Sequence, residues 1–474
     1  MSRSAIDRTL TMLTQVTEHA FRGIAALCRR APLQLALRLT LACWLLTLVG
    51  CATYDDQRAR VQALFYSNDL PKAVEAIDKG AERRFDRDVF QLDRAIVQLA
   101  EGKPREAEQN LLEVRDRFEQ LEQPMIGEKA LSMLTDAQRE SYHGEDYEKV
   151  LIRAFLAISN LMHDGGDAGA YALQVTDKQQ QIVNAATLPD GTNPKAVYQH
   201  VAMGPYLFGA LREATHANYD DVQRSAAIVC SWNPEFVYGT QDLERARNGR
   251  HSAPGNGVLY FIALVGAGPH KEERIEAPSQ IALLIADRLI SAFGDQTLPP
   301  TIAPIKVPVV ITTQHDVGSI GVGVDGRRVG CTATITDIGR MALLQHQAVA
   351  DTIIAEAVVR RVVKKSVVYG TKKVLGVNKH SIEGFLLDAA GVAWEATESA
   401  DTRCWGLLPD KIQVIRVELP EGQHQLSLEA LTAGGYPVGR PTTHTINIVN
   451  GRNTYALGNF PYGNLVGTVT SHTP

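Results

Sequence analysis

Cysteine is scarce in this sequence, and the local motifs of several enzyme classes are missing from it. Six cysteines among 474 residues are too few and too scattered for a disulfide scaffold. The sequence holds no phosphate loop, H-E-x-x-H, C-x-x-C or G-x-S-x-G motif, so several major catalytic families have no support. We therefore expect a non-enzymatic protein, with no catalytic residue, metal ligand or cofactor site.

Positive charge is also in short supply beyond the first 50 residues. Residues 1–50 carry six basic and two acidic side chains, whereas the whole chain has a formal net charge of -5. The rest of the chain is therefore acidic. Because nucleic-acid binding needs a basic face that neutralises phosphates, we expect no nucleic-acid partner. The length and the 45% apolar content fit a soluble protein of two or three domains.

The apolar run near the amino terminus is too short to cross a bilayer. It extends over the eleven residues Leu39–Val49, whereas a spanning helix needs about 20 residues. The pair Arg29-Arg30 precedes it, as in a signal peptide. At its end, Leu48-Val49-Gly50-Cys51 resembles a lipobox, in which small residues allow cleavage and the cysteine thiol carries the lipid. This predicts a signal peptide over 1–50 and a lipid on Cys51.

Two alternatives stay open for this segment. The run could be a buried helix or short anchor that happens to precede a cysteine. The region before it is long for a signal peptide, so the true start could be later, for example at Met12. Since Ala52 rather than an aspartate follows Cys51, the lipoprotein reading favours an outer-membrane anchor that faces the periplasm.

Residues 51–250 have the pattern of stacked helical hairpins. Apolar residues recur at helical spacing on two neighbouring stretches (Leu92, Ala95, Ile96, Leu99 and Ala100; then Ala107, Leu111, Val114 and Phe118). The break Gly102-Lys103-Pro104 is so short that the two helices must pack antiparallel. The pattern resembles tetratricopeptide repeats, whose stacked hairpins bury a shared core.

Further helices are predicted over 145–161 and 168–186, with a glycine-rich turn between them. His163, Asp164 and Asp167 in this turn could form a metal site. A solvated turn whose carboxylates cap the next helix is the simpler interpretation, and we favour it.

Several segments are similar to a family of tetratricopeptide-like bacterial lipoproteins. The resemblance rests on four short stretches: Gly144–Lys149, Asp167–Ala172, Asn256–Tyr260 and Gly268–Glu273. Together with the lipobox it covers most of the mature chain. It implies a location in the cell envelope and a helical repeat domain, and it implies no reaction.

The composition shifts after Asn248-Gly249-Arg250 toward Gly, Pro, Val, Ile and Thr. We predict a mixed α/β domain over 255–400 and a β-rich module over 401–474. The expected elements are a buried strand over 257–265, a helix over 277–293, a strand over 307–313, a hairpin over 320–335, a helix over 340–368, a second hairpin over 413–428, and strands over 443–449 and 452–457. The run Leu419–Leu426 is similar to β-sandwich modules of the PEGA type. The fold class is α+β.

Three features of this half have a functional and a structural interpretation. Gly321–Gly326 fits G-x-G-x-x-G, but the glycines lie in a predicted strand and turn, which disfavours nucleotide binding. Cys331 and Cys404 could form a disulfide or be two small buried residues. Basic residues near the end of the long helix could contact anionic lipid or glycan, or could form a solvated face: Arg360, Arg361, Lys364, Lys365, Lys372 and Lys373.

Taken together, these patterns predict an envelope lipoprotein that acts as a protein-protein interaction scaffold in outer-membrane or envelope assembly. The concave helical surface is the expected binding site for the protein partner. Two alternatives stay open. One is a peptidoglycan-directed hydrolase with a site between domains, and the other is a structural subunit of a secretion or surface-appendage complex.

Overall fold

A computed structural model of the chain describes residues 53–122, 141–187, 191–291, 298–299, 302–374 and 399–474, with side chains of 363–374 excepted. Tyr54–Pro474 forms one compact unit, which is distinct from Met1–Thr53. The predicted lipobox, Leu48–Cys51, lies outside the described residues. No helix among the described residues has the length and apolarity needed to span a bilayer.

The amino-terminal half consists of antiparallel helical hairpins, as the sequence predicts. The helices are α1 (Tyr54–Tyr66), α2 (Leu70–Ala81), α3 (Arg87–Ala100), α4 (Pro104–Glu122), α5 (Asp146–Leu161), α6 (Ala168–Ala185), α7 (Met203–Glu213), α8 (Tyr219–Trp232) and α9 (Gly239–Arg247), with a 3₁₀ turn at Pro194–Val197. Neighbouring helices in the chain pack on each other from α1 to α9.

Local sequence explains where these helices begin and which faces they bury. Asp69 accepts a hydrogen bond from the backbone of Lys72, which caps α2, and Glu145 forms a capping box with Glu148 at the start of α5. Both apolar stripes predicted on α3 and α4 are buried. The predicted periodicity is therefore confirmed for this pair.

The described part of the carboxy-terminal half contains three sheets and two helices. The strands are β1 (Asn256–Val265), β2 (His270–Glu276), β3 (Ile305–Ile311), β4 (Ser319–Val324), β5 (Arg327–Cys331), β6 (Ala333–Asp337), β7 (Lys411–Pro420), β8 (Gly422–Leu431), β9 (Thr442–Ile448), β10 (Asn453–Phe460) and β11 (Val466–His472), and the helices are α10 (Gln280–Ser291) and α11 (Ile338–Val374). Their strand orders are β11-β10-β1-β7-β6, β5-β4-β8-β9 and β2-β3.

Three layers stack on one another around β1. One face of β1, with Tyr260 and Ile262, packs in the same core as the helical hairpins. The opposite face, with Phe261 and Ala263, packs against the four-stranded sheet. Because β1 is buried on both faces, its sequence is a continuous apolar run without polar alternation. A third, smaller core joins β3, α10 and α11.

The predicted second hairpin over 413–428 is wrong. Strand β7 pairs with β1 and β6, whereas β8 pairs with β4 and β9. The short connection Pro420-Glu421-Gly422 thus carries the chain from one sheet to the other. Alternating apolar residues are the same in both arrangements, so the sequence pattern alone does not distinguish them.

The first hairpin, over 320–335, is present but ends earlier than predicted. Its returning strand stops at Cys331, and the chain then joins the five-stranded sheet as β6. Thr332 sits at the crossing. Its hydroxyl accepts a hydrogen bond from the Ile320 backbone at 2.8 Å and donates one to Gln413 at 2.6 Å. This side chain therefore satisfies polar groups where the two sheets diverge.

The structure also corrects the predicted boundary between residues 400 and 401. Strands from both sides of this boundary, such as β1 and β7, are neighbours in one sheet. The change from helices to strands near residue 250 is present, but the two halves share one hydrophobic core. The segments on both sides of residue 400 therefore belong to the same compact unit, Tyr54–Pro474.

Candidate functional site: an internal peptide on the helical hairpins

An irregular stretch of the chain, residues 400–410, contacts the helices α1, α3 and α5. We call it the internal peptide. Each of these helices is the first member of its hairpin, and each binds the internal peptide through a side chain. We call the side that they turn toward it the inner side of the helical array. Arg403, Cys404 and Trp405 of the internal peptide are almost completely buried, and the Trp405 ring packs at 5.2 Å from the ring of Phe155 on α5.

Side chains of α1 bind the backbone of the internal peptide at two residues. The Tyr54 hydroxyl donates to the Cys404 carbonyl oxygen at 2.7 Å and accepts from the Cys404 N–H at 3.2 Å. Further along the same helix, the Gln62 side-chain amide donates to the Gly406 carbonyl oxygen at 2.7 Å. This is the hydrogen bonding that a strand would make with a neighbour in a sheet, supplied here by side chains.

Carboxylates of α3 and α5 bind the next backbone donors. Glu148 accepts from the Trp405 N–H at 2.7 Å, and Asp93 accepts from the Leu407 N–H at 2.8 Å. Gly406 stands between them, and a β-carbon there would lie 3.1 Å from the Arg58 side chain. The backbone therefore approaches the helices more closely at Gly406 than a larger residue would permit.

The pKa values of Asp93 and Glu148 are raised because both carboxyl groups are removed from water. Burial raises the pKa of Asp93 to about 8, against the lowering effect of the hydrogen bond from Leu407 and of the Arg58 charge. Burial also raises the pKa of Glu148, and the neighbouring Glu145 charge adds to the effect. Asp93 is thus protonated at neutral pH in the folded protein.

A chain of ion pairs fixes the amino-terminal part of the internal peptide. Arg403 binds both carboxylate oxygens of Asp401 at 2.8 Å and lies 3.8 Å from Asp86. It also donates to the Phe85 carbonyl oxygen at 2.8 Å. Although burial opposes its charge, the adjacent Asp401 raises the pKa of Arg403 overall. The guanidinium thereby connects the internal peptide to the loop between α2 and α3.

The sequence predicts a partner on the concave helical surface, and these contacts show which part of the chain itself lies there. The inner sides of α1, α3 and α5 hold the internal peptide, and the hairpin core continues into the face of the five-stranded sheet. Trp405 and Cys404 have no exposed surface. In the described part of the array, the inner surface is therefore part of the protein core.

A second buried polar cluster joins α7 and α9 to the five-stranded sheet. Glu213, which is 1% exposed, accepts from Arg245 at 2.7 Å and from the Tyr260 hydroxyl at 2.7 Å, and Arg416 lies 3.3 Å away. Although burial acts in the opposite direction, the two arginines hold the pKa of Glu213 below its usual value. Burial raises the pKa of the neighbouring Asp242, which pairs with Arg245.

The cavity beside this cluster is small. It has a volume of about 30 Å³ and is lined by Glu213, Asp242, Arg245 and Tyr260 among others. A second cavity of about 10 Å³ lies between α5, α6 and α11. Ordinary ligand sites measure roughly 300–1,000 Å³, so neither cavity matches a sugar substrate. The carboxylates that line the first cavity, Glu213 and Asp242, are both paired with Arg245.

The other residues singled out from the sequence do not come together. His163 lies 2.5 Å from Glu108 on α4. Asp167 precedes α6 but makes no capping hydrogen bond through its side chain, so that detail of the predicted turn is wrong. No group of three or more metal-ligating side chains occurs among the described residues.

The structure places the cysteines, the glycine motif and one arginine of the basic run that the sequence singled out. Cys331 and Cys404 are both free thiols; Cys404 is buried and Cys331 is half-buried. The glycines of Gly321–Gly326 lie in β4 and its turn, as expected for a strand. Of the basic run, Arg361 donates to the carbonyl oxygens of Ala303 and Pro304 at 3.2 and 2.9 Å. The lysines Lys364, Lys365, Lys372 and Lys373 are outside the described side chains.

Sequence reasoning missed the carboxylates that hold the internal peptide. A signal for Asp93 was available, because it interrupts an apolar helix face between Val89 and Val97, one turn away on either side. Glu148 lies likewise on a helix whose residues from Tyr147 to Leu161 are all buried. A carboxylate on such a face requires a donor from elsewhere in the fold.

Comparison with known proteins gives no neighbour for this chain. No family model, curated protein or solved structure matches it.

Proposed function

We propose that this chain is a non-enzymatic lipoprotein, anchored in the outer membrane through Cys51, that serves as a protein-protein interaction scaffold in envelope assembly. The position of the fold supports the anchor. The compact unit begins at Tyr54, three residues after Cys51, so cleavage before Cys51 would remove no part of it. Cysteine acylation there would leave the body next to the bilayer.

An open sheet edge carries the scaffold proposal. Strand β9, Thr442–Ile448, is the last strand of the four-stranded sheet, and no described strand pairs with its outer edge. Its seven residues include no lysine, arginine, carboxylate or proline, which are the usual protections of an exposed edge. Such an edge can bind an extended segment of another protein as an added strand.

The other edges of the two large sheets are shorter or covered. Strand β5 has five residues and begins with Arg327 and Arg328, and β6 also has five. Strand β11 packs against α3 and its turn, where Gly467 contacts Ala100. Among the described edges, β9 alone combines length, neutrality and accessibility. We therefore propose β9, rather than the inner helical surface, as the binding site of the partner.

A charge at the edge tests this proposal. Thr445→Lys places a cation on an exposed position of β9, which disfavours strand addition. Gln425→Lys is the matched control, because Gln425 lies directly opposite Thr445 on the interior strand β8 and is also exposed. Crosslinking in living cells, followed by purification of the anchored protein, measures partner capture.

We expect the Thr445 variant to lose a crosslinked protein that the wild type and the Gln425 variant retain. Equal capture by all three proteins contradicts the assignment of β9. If the captured protein is a second copy of this chain in a stoichiometric assembly, the result favours the structural-subunit alternative instead.

The anchor has its own test. Mass spectrometry of the mature protein should find Cys51 as the first residue, with acyl chains attached. Cys51→Ser should leave the leader uncleaved and the cysteine-linked lipid absent. A wild-type protein that keeps its leader, or that carries an unmodified Cys51, refutes the lipoprotein assignment.

A further inference from the structure

The antiparallel hairpins collect several loops at the end of the array where the chain enters. Because successive helices run in opposite directions, the start of α1, the α2–α3 loop, the end of α4 and the start of α5 share this end. We call it the entry end. The turns that follow α1, α3 and α5 lie at the opposite end.

Contacts through the internal peptide place the α2–α3 loop beside the first turn of α1. Thr402 donates to Asp55 on α1 at 2.9 Å. The next residue, Arg403, donates to the Phe85 carbonyl oxygen of the loop at 2.8 Å. The rings of Tyr54 on α1 and Phe90 on α3 are 5.6 Å apart. The loop is therefore a direct neighbour of the point at which the tether joins the fold.

The α2–α3 loop is basic and partly apolar on its outer side. Arg83, Arg84 and Arg87 are exposed, and Phe85 is 37% exposed with the Arg84 guanidinium 6.0 Å from its ring centre. Glu82 is the only exposed acid of the loop. An aromatic ring among arginines is a combination suited to the headgroup region of a bilayer.

The acids near this loop are engaged by cations of the protein itself. Asp86 and Asp88 are buried. Asp86 lies 3.8 Å from Arg403 and 3.9 Å from Arg83 of the loop itself, and Asp88 pairs with Arg117. Elsewhere at the entry end, acids of α4 and α5 form three pairs: Glu119 with Arg153, Glu122 with Lys149, and Asp146 with Lys195. The loop therefore keeps a positive surface.

We propose that the loop Glu82–Arg87 contacts the bilayer surface, with its arginines on anionic phospholipid headgroups and Phe85 at the interface. This inference rests on the proposed acylation of Cys51. Only Ala52 and Thr53 lie between Cys51 and Tyr54, and the three residue steps span at most about 10 Å, so the lipid would hold the entry end at the membrane. The anchor and the loop then form two attachment points that orient the whole body.

A fluorescent reporter on the loop tests the contact. The acylated mature protein, with Cys230 and Cys331 replaced by alanine, receives an environment-sensitive dye at Phe85→Cys. Leu173→Cys is the matched control, because Leu173 is 47% exposed and lies near the start of α6, at the opposite end of the array. Both are inserted into vesicles of phosphatidylcholine with or without phosphatidylglycerol, and quenching by spin-labelled lipid is measured.

We expect strong quenching of the dye at position 85, but not at 173, in vesicles that contain phosphatidylglycerol. Removal of each arginine charge should lower the bound-to-free ratio of the loop about fivefold. Arg84→Glu should therefore reduce quenching, whereas Arg224→Glu on the exposed surface of α8 should not.

Each other outcome overturns the proposal in a recognisable way. No quenching at position 85 excludes bilayer contact by the loop. Equal quenching with and without phosphatidylglycerol excludes recognition of anionic headgroups. Mass spectrometry of the same sample reports acylation of Cys51. An unmodified cysteine refutes both the anchor and the loop contact. An acylated protein whose dye at position 85 is not quenched refutes the loop contact alone.

Discussion

Asp93 should make the stability of this protein fall as pH rises through the neutral range. Its carboxyl group is buried beneath the internal peptide, and its pKa is raised from 3.8 to about 8. Between these values the carboxyl group is ionised in the unfolded chain and protonated in the folded protein. Folding therefore takes up a proton, and the free energy of unfolding decreases with pH across this window.

The size of the effect follows from the width of the window. One pKa unit corresponds to about 1.36 kcal/mol, so the contribution of Asp93 should fall by about 3 kcal/mol between pH 5 and pH 7.5. The replacement Asp93→Asn removes this titration. It keeps an oxygen that can accept from the Leu407 N–H, which Asp93 binds at 2.8 Å.

Urea unfolding at the two pH values measures the difference. Buried Trp405, on the internal peptide itself, provides the fluorescence signal. The free energy of unfolding of the Asn variant minus that of the wild type should increase by about 3 kcal/mol from pH 5 to pH 7.5. Exposed Asp116→Asn is the control and should follow the wild type at both values.

Parallel pH profiles for wild type and Asp93→Asn would refute the reasoning. They would mean that Asp93 ionises in the folded protein much as it does in the unfolded chain. A folded-state pKa held low by the neighbouring Arg58, rather than raised by burial, would also give parallel profiles, because Asp93 would then be ionised in both states above pH 5.

Two further substitutions test the packing of the two halves. Glu213→Gln leaves Arg416 buried without its carboxylate and Arg245 with Asp242 alone, and it should cost about 3–5 kcal/mol in urea unfolding. Exposed Glu235→Gln should cost little, and equal costs would contradict a role for the cluster. Gly467 and Gly435 both have a positive φ, 72° and 81°, but only at Gly467 would a β-carbon meet Ala100. The thermal midpoint of Gly467→Ala should therefore fall much further than that of Gly435→Ala. Similar midpoints would show that β11 and α3 can separate at no cost.

The helices were predictable because their signals are local. The stripe on α3 repeats every three or four residues, and the break at Gly102-Lys103-Pro104 requires a reversal. The partners of the strands were harder to predict. Pro420-Glu421-Gly422 can join strands of one sheet or of two, and the choice depends on β1, more than 150 residues earlier.

The internal peptide was not predictable from local pattern for the same reason. The hydrogen bonds between Tyr54 and Cys404 join residues 350 positions apart. No periodicity marks residues 400–410 as a segment that packs on helices, and the stretch has neither helix nor strand over most of its length. The available signal was indirect. Asp93 on an apolar helix face requires a partner, but it does not identify that partner.

A free concave surface is the usual expectation for helical repeats, and the buried carboxyl groups on these inner helices argue against it. A groove that waits for a partner can keep its polar side chains in water. Asp93 and Glu148 are instead completely buried, and each binds a backbone N–H of the same chain. Removing the internal peptide would leave both carboxyl groups without that donor. Displacement by a partner would therefore have to replace the same donors in the same register, which makes an outer edge such as β9 the less costly place to bind one.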